Sequence, residues 1–128
     1  MTTRVVLDAS ALLALLNDEP GGEAVAESLQ VAVVSSVNLA EVVGKLSERG
    51  MPEATIRSAL GGLGLDVRPF DSDSAYATGL LRRPTSSRGL SLGDRACLAL
   101  GVALKAPVLT TDRSWRSLKV GARVRVIR

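Results

Sequence analysis

Apolar residues fall along this chain in two kinds of block, and their alternation predicts the fold. Val5-Val6-Leu7 and Val31-Ala32-Val33-Val34 are unbroken runs rich in β-branched residues. Such runs suit strands buried on both faces of a sheet. Pro107–Thr110 reads as another strand of this type and Leu65–Phe70 as a weaker one. Between them lie stretches with helical spacing. Ala11–Leu16 is apolar nearly all round, which predicts a buried helix, and Glu23–Leu29 predicts a short one. From Val37 to Glu48, the positions Leu39, Val42, Val43 and Leu46 follow the i, i+3, i+4, i+7 spacing of one helix face. Gly50-Met51-Pro52 ends that helix, and Pro52 opens the next, to about Leu63. Asp71–Arg82 predicts a helix capped by Asp71 or Ser72, Arg83–Gly89 a flexible basic loop, and Leu92–Leu104 a long apolar helix. Val120–Ile127 has the period of two of a strand. Strands alternating with helices predict a three-layer α/β/α fold with a mostly parallel central sheet. Its 128 residues suit one domain spanning positions 1–128.

Composition then removes several chemistries. The chain has no histidine, which excludes Ser-His-Asp and Cys-His catalysis and any zinc site built on imidazole. Phe70, Tyr76 and Trp115 are the only aromatic residues, too few for a base-stacking platform. Cys97 is the one cysteine; it lies in the apolar helical pattern and reads as a small hydrophobe. Gly61-Gly62-Leu63-Gly64 follows a helix rather than a strand, so it is no dinucleotide fingerprint. Val5–Leu16 is too short to span a bilayer and carries Asp8 in its middle. No membrane partner is expected, and the setting expected is a reducing cytoplasm.

Four acids stand where an α/β sheet places its chemistry, at the carboxyl ends of strands. Asp8 closes the first apolar run, with Ser10 placed to cap the helix that follows. Asp112 follows Val108-Leu109-Thr110-Thr111. Glu41 lies near the start of the helix after the second strand, and Asp94 precedes the apolar part of the helix over 92–104. Each has a plain structural alternative. Asp8 and Asp112 fit turns, while Asn38–Glu41 and Ser91–Asp94 fit capping boxes. Glu41, however, lies off the apolar stripe. Small Ala40 and Gly44 beside it let this face approach another element, and a mid-helix Gly costs about 1 kcal/mol relative to Ala, which asks for a packing reason. All four acids can reach the same edge of one parallel sheet. Gathered carboxylates oppose one another's ionisation unless a cation joins them. Oxygen ligands without His or Cys suit Mg²⁺ or Mn²⁺, and such sites usually serve phosphate-ester chemistry.

Taken in order, Val6-Leu7-Asp8-Ala9-Ser10-Ala11-Leu12, Asn38-Leu39-Ala40-Glu41-Val42, Leu90-Ser91-Leu92-Gly93-Asp94-Arg95-Ala96-Cys97-Leu98-Ala99-Leu100 and Leu109-Thr110-Thr111-Asp112-Arg113 resemble the motifs of the PIN-domain ribonucleases. Length and motif order are similar to the VapC toxins of bacterial toxin–antitoxin pairs. The resemblance covers nearly the whole chain, although Gly50–Arg88 carries none of its motifs. It implies a metal-dependent endoribonuclease with Asp8, Glu41, Asp94 and Asp112 as an acidic site for Mg²⁺ or Mn²⁺. It implies Ser10 or Thr111 as a supporting polar group, and a homodimer neutralised by a small antitoxin protein. The net charge is only +3; with four of the 13 acids gathered in one site, nine remain against 16 basic residues. Arg82, Arg83, Arg88, Arg95, Arg113, Arg116 and Lys119 are then candidates for RNA phosphate contacts, which position a strand without reading it. Two other classes stay open. An aspartyl-phosphate phosphatase would use Asp8, but the haloacid-dehalogenase type wants a second Asp where Ser10 stands. A non-catalytic RNA- or protein-binding module on the same fold predicts no metal requirement.

Overall fold

The computed structural model describes residues 3–128. The strands are β1 (Val5–Leu7), β2 (Ala32–Ser35), β3 (Asp66–Arg68), β4 (Val108–Thr110) and β5 (Val124–Val126). The α-helices are α1 (Ala9–Leu16), α2 (Gly22–Ser28), α3 (Ser36–Glu48), α4 (Glu53–Gly61), α5 (Ser72–Leu80) and α6 (Leu92–Leu104). The strands form one sheet in the order β3-β2-β1-β4-β5, parallel at every pairing. The three-layer arrangement expected from the pattern is therefore present. Val5 and Leu7 face a core completed by Leu12, Val25, Val42, Leu46 and Ile56 of α1 to α4. Val6 faces the opposite core, with Leu98 of α6, Val108 and Trp115. Cover on both faces is why the central strands are unbroken apolar runs. The edge strand β3 is short and polar, and Arg68 grips Asp66 through two hydrogen bonds of 3.0 and 3.1 Å.

Several local expectations are corrected. The helix after β1 begins at Ala9 and is capped by Asp8, whose Oδ1 accepts from the Ala11 N–H at 2.8 Å. The strand runs straight into the helix, so Ser10 already lies inside it. Likewise α3 starts at Ser36 with Ser35 as its cap, so Asn38–Glu41 is not a capping box. The buried face of α3 is Asn38, Val42 and Leu46; Val43 is left exposed in a groove shared with α4. Gly44 has open space around it and is not a point of close approach. Ser91–Asp94 is a true capping box, and Asp71 caps α5. The segment 83–89 is pinned rather than free. Thr85 is buried and donates to the Leu81 carbonyl at 2.7 Å, while Arg88 donates to the Ser114 carbonyl at 2.6 Å. Among the described residues, no helix is long and apolar enough to cross a membrane.

Gly101 lets α6 settle onto β4, because a Cβ there would lie 2.5 Å from Val108 Cγ2. Gly101→Val should destabilise the protein by about 1–3 kcal/mol through overpacking. Gly44→Ala should do the opposite, gaining about 0.5–1 kcal/mol from lower backbone entropy in the unfolded chain. Thermal melts of the two variants beside the parent check both signs.

Candidate functional site

The chain builds β1, β2 and β3 outward in one direction, then returns to lay β4 on the other side of β1. Strand order reverses between β1 and β4, and open α/β sheets bind ligands at such a junction. The pairing of Leu7 with Leu109 brings Asp8 level with Thr110. Asp8 is 4% exposed, and both of its carboxylate oxygens accept hydrogen bonds. Its Oδ1 accepts from Ser10 Oγ at 2.7 Å and from the Ala11 N–H, and its Oδ2 accepts from Thr110 Oγ1 at 2.5 Å. Ser10 Oγ in turn accepts from the Thr111 N–H at 3.0 Å, and Thr110 Oγ1 from the Asp112 N–H at 3.1 Å. The hydroxyl partner of Asp8 from β4 is thus Thr110. Thr111, expected in that role, contributes its backbone instead, because strand register decides which of two adjacent threonines meets β1.

All four acids line one cleft of about 210 Å³, together with Ser10, Lys45 and Trp115. Glu41 enters from α3, held by Asn38 Nδ2 at 2.9 Å. Asp94 enters from the first turn of α6, where its Oδ2 accepts from the Ser91 N–H at 2.9 Å. Asp112 caps the short turn Arg113–Ser117, accepting from the Ser114 N–H and hydroxyl. Glu41 and Asp94 are half-buried and Asp112 is exposed. Among the described residues, none of the four is ion-paired. Nor do any three Asp, Glu or Cys side chains among them close on a single point. The acids thus share a cleft without converging on one point.

The family profile of the PIN domain matches residues 5–121. The chain belongs to the PIN-domain family. Solved structures agree in fold. DNA-bound VapBC from Salmonella typhimurium superposes with a TM-score of 0.76 at 19% identity, over 97% of this chain and 98% of that one. VapBC2 from Rickettsia felis, bound to a fragment of its promoter, gives 0.74 at 16% identity over 96% and 98%. VapBC-5 from Mycobacterium tuberculosis gives 0.58 at 22% identity over 99% of each chain. At these identities the likeness is one of fold. No curated protein matches in sequence.

In this PIN domain, burial raises the pKa of the Asp8 carboxyl, and hydrogen bonds from Thr110, Ala11 and Ser10 pull it part of the way back. Cys97 is wholly buried; burial pushes its thiol well up, and the charges of Asp8, Asp94 and Glu41 add to the effect. It stays a protonated, inert packing residue. The donors of the cleft are all oxygens, and a buried carboxylate among other unpaired carboxylates is a group that a hard divalent cation stabilises. In donor chemistry the residues suit such an ion. The basic candidates divide. Arg88 and Arg95 are committed to this chain, Arg88 to Ser114 and Ser117, and half-buried Arg95 to the Thr78 carbonyl. Arg113 reaches the Arg128 carbonyl at 3.3 Å. Arg82, Arg83, Arg116 and Lys119 are exposed. Sequence reasoning missed Thr110, Asn38, Lys45 and Trp115 as components of this region.

Because folded Asp8 holds its proton more tightly than the unfolded chain does, its contribution to stability falls as pH rises through the interval between the two pKa values. Asp8→Asn keeps an acceptor for the Ala11 N–H and removes the buried charge. In EDTA near neutral pH, this variant should melt at the parent temperature or above it, a gain of about 1 kcal/mol appearing as roughly 3–6 °C. The gap should close toward acid pH, where Asp8 of the parent is neutral too. Paired melts across that range measure it; a variant less stable by a pH-independent amount would make Asp8 a plain cap.

Proposed function

We propose that this PIN domain, acting as one unit over residues 1–128, is a Mg²⁺- or Mn²⁺-dependent endoribonuclease and the toxin of a bacterial toxin–antitoxin pair. The observation that carries this reading is the gathering of four carboxylates, none ion-paired among the described residues, in one cleft at the β1/β4 junction. Asp8, Glu41 and Asp94 would hold the cation, with Asp112 joining directly or through water. When bound, such a cation supplies activation of water for attack on a phosphodiester and neutralises charge growing on the phosphate oxygens. The chain's own residues prepare the site. Ser10 and Thr110 lock the Asp8 carboxylate in place, and the Ser91 backbone orients Asp94. Arg113 and Arg116, on the turn after Asp112, with Arg82, Arg83 and Lys119, are the groups to hold RNA phosphates. No side chain is assigned a covalent step.

The likeness to VapBC complexes supports an antitoxin partner, and so does an apolar groove of about 530 Å³ that Leu39, Val43, Ile56 and Leu60 help to line between α3 and α4. On α5, Tyr76 and Leu80 are each 75% exposed, which supports a homodimer. A buried free cysteine is at ease in a reducing cytoplasm.

Purified protein should cut RNA with Mg²⁺ or Mn²⁺ and lose that activity in excess EDTA; activity that persists there overturns the reading. Asp94→Asn should abolish cleavage and leave the fold intact, since the amide oxygen can still accept from Ser91. Sequencing of RNA 5′ ends after induced expression, compared with this variant, would locate the cuts.

Arg116→Ala should weaken RNA binding without changing which sequence is bound, and lower the log–log salt slope by about 0.7 for single-stranded RNA. An unchanged slope in titrations at several salt concentrations returns Arg116 to ordinary surface.

A further inference from the structure

Asn38 is 1% exposed, on a helix face otherwise made of Val42 and Leu46. A polar side chain at such a position needs a reason. Its Nδ2 donates twice, to Glu41 Oε1 at 2.9 Å and to the Gly93 carbonyl at 3.0 Å. Both neighbours are acceptors, so they decide which end of the amide is nitrogen. The other end, Oδ1, is buried with no hydrogen-bond partner. An orphaned acceptor weakens the fold. What the amide contributes here is the work of its nitrogen.

Gly93 faces the same carboxylate from α6. A Cβ at Gly93 would lie 2.0 Å from Glu41 Oε1 and 2.5 Å from its Cδ. Gly93 does not have a positive φ, so its backbone does not demand glycine. What demands it is the carboxylate of Glu41, lying against the residue that precedes Asp94.

We propose that Asn38 and Gly93 are positioning residues for Glu41, Asn38 by donating to the carboxylate from α3 and Gly93 by leaving the space that the carboxylate occupies beside α6. The proposal rests on the reading of the cleft as a divalent-cation site. A carboxylate already held in place loses less freedom when it closes on an ion, so the clamp raises affinity without touching the ion.

Mn²⁺ binding to the full chain, measured by calorimetry beside metal-free thermal melts, tests this. Asn38→Leu keeps the heavy-atom count and branching of the side chain and removes both the donor and the orphaned oxygen. It should melt near the parent temperature without metal, the extra bulk of its methyls offsetting the loss of the orphaned oxygen, yet bind Mn²⁺ about 10- to 100-fold more weakly. Gly93→Ala should also weaken binding, with little loss of stability, since only the flexible end of Glu41 must move. In a Glu41→Ala background, where Asp8 and Asp94 remain, either change should alter affinity by no more than about twofold. A purely structural role predicts lower melting temperatures and the same loss of affinity with or without Glu41. Parent-like Mn²⁺ affinity in Asn38→Leu, or in Gly93→Ala should Asn38→Leu not fold, overturns the clamp and leaves the nuclease reading standing. A parent protein that binds no Mn²⁺ overturns both.

Discussion

The hydrogen bond from Thr110 to Asp8 joins the ends of β1 and β4, and much of the molecule is arranged around that join. It lies where two parallel strands finish side by side, one leading into α1 and the other into the Asp112 turn. The same carboxylate caps α1, so one side chain sets a helix start, a strand junction and the floor of the cleft. This economy has a physical cost. A carboxylate at this depth is disfavoured by burial, and only its three hydrogen bonds make the charged form tolerable. The other three acids are held from three further places, α3, α6 and the turn after β4, so no single element carries the site.

Much of the fold was readable because the two cores impose different periods on the chain. β1 and β2 are covered on both sides and write themselves as apolar runs; α6 is 13 residues long and buries its middle stretch Ala96–Ala99. The edge strands were harder, since β3 has few apolar contacts to mark it and only three of the residues expected in it pair. Asp8, Asp94 and Asp112 stood out because each sits at or beside the start of an element, and Glu41, well inside α3, because it lies off the apolar stripe of its helix. Their supports did not. Thr110 and Thr111 are equivalent in sequence, and only the Leu7–Leu109 register separates them. Asn38 imitates a helix cap, yet α3 starts earlier and carries it into the interior. The expectation that Ala40 and Gly44 let this face of α3 approach another element closely does not hold at Gly44, which faces open space; the room beside Glu41 is supplied by Gly93 of α6. Contacts between residues far apart in the chain are the information that local pattern does not hold.

The cleft also shows how polar groups are tolerated in a small α/β protein. Asp8, Thr110 and Ser10 satisfy one another across the β1/β4 junction. Asn38 and Trp115, by contrast, each leave a buried polar atom unpaired. Satisfied groups knit the two strand ends together, while Asn38 and Trp115, two of four residues with an unpaired buried atom among the described residues, stand next to or within the functional region, where stability commonly yields to other demands.

The two ends of the sheet differ from its middle in a way that bears on association. β3 and β5 are three residues long, and each exposes charge: the Asp66–Arg68 pair on one side and Arg125 on the other. Short charged margins are poor templates for main-chain pairing with another polypeptide. The molecule is thereby guarded against growing into edge-to-edge aggregates, and companions are steered away from strand addition and toward the helical flanks.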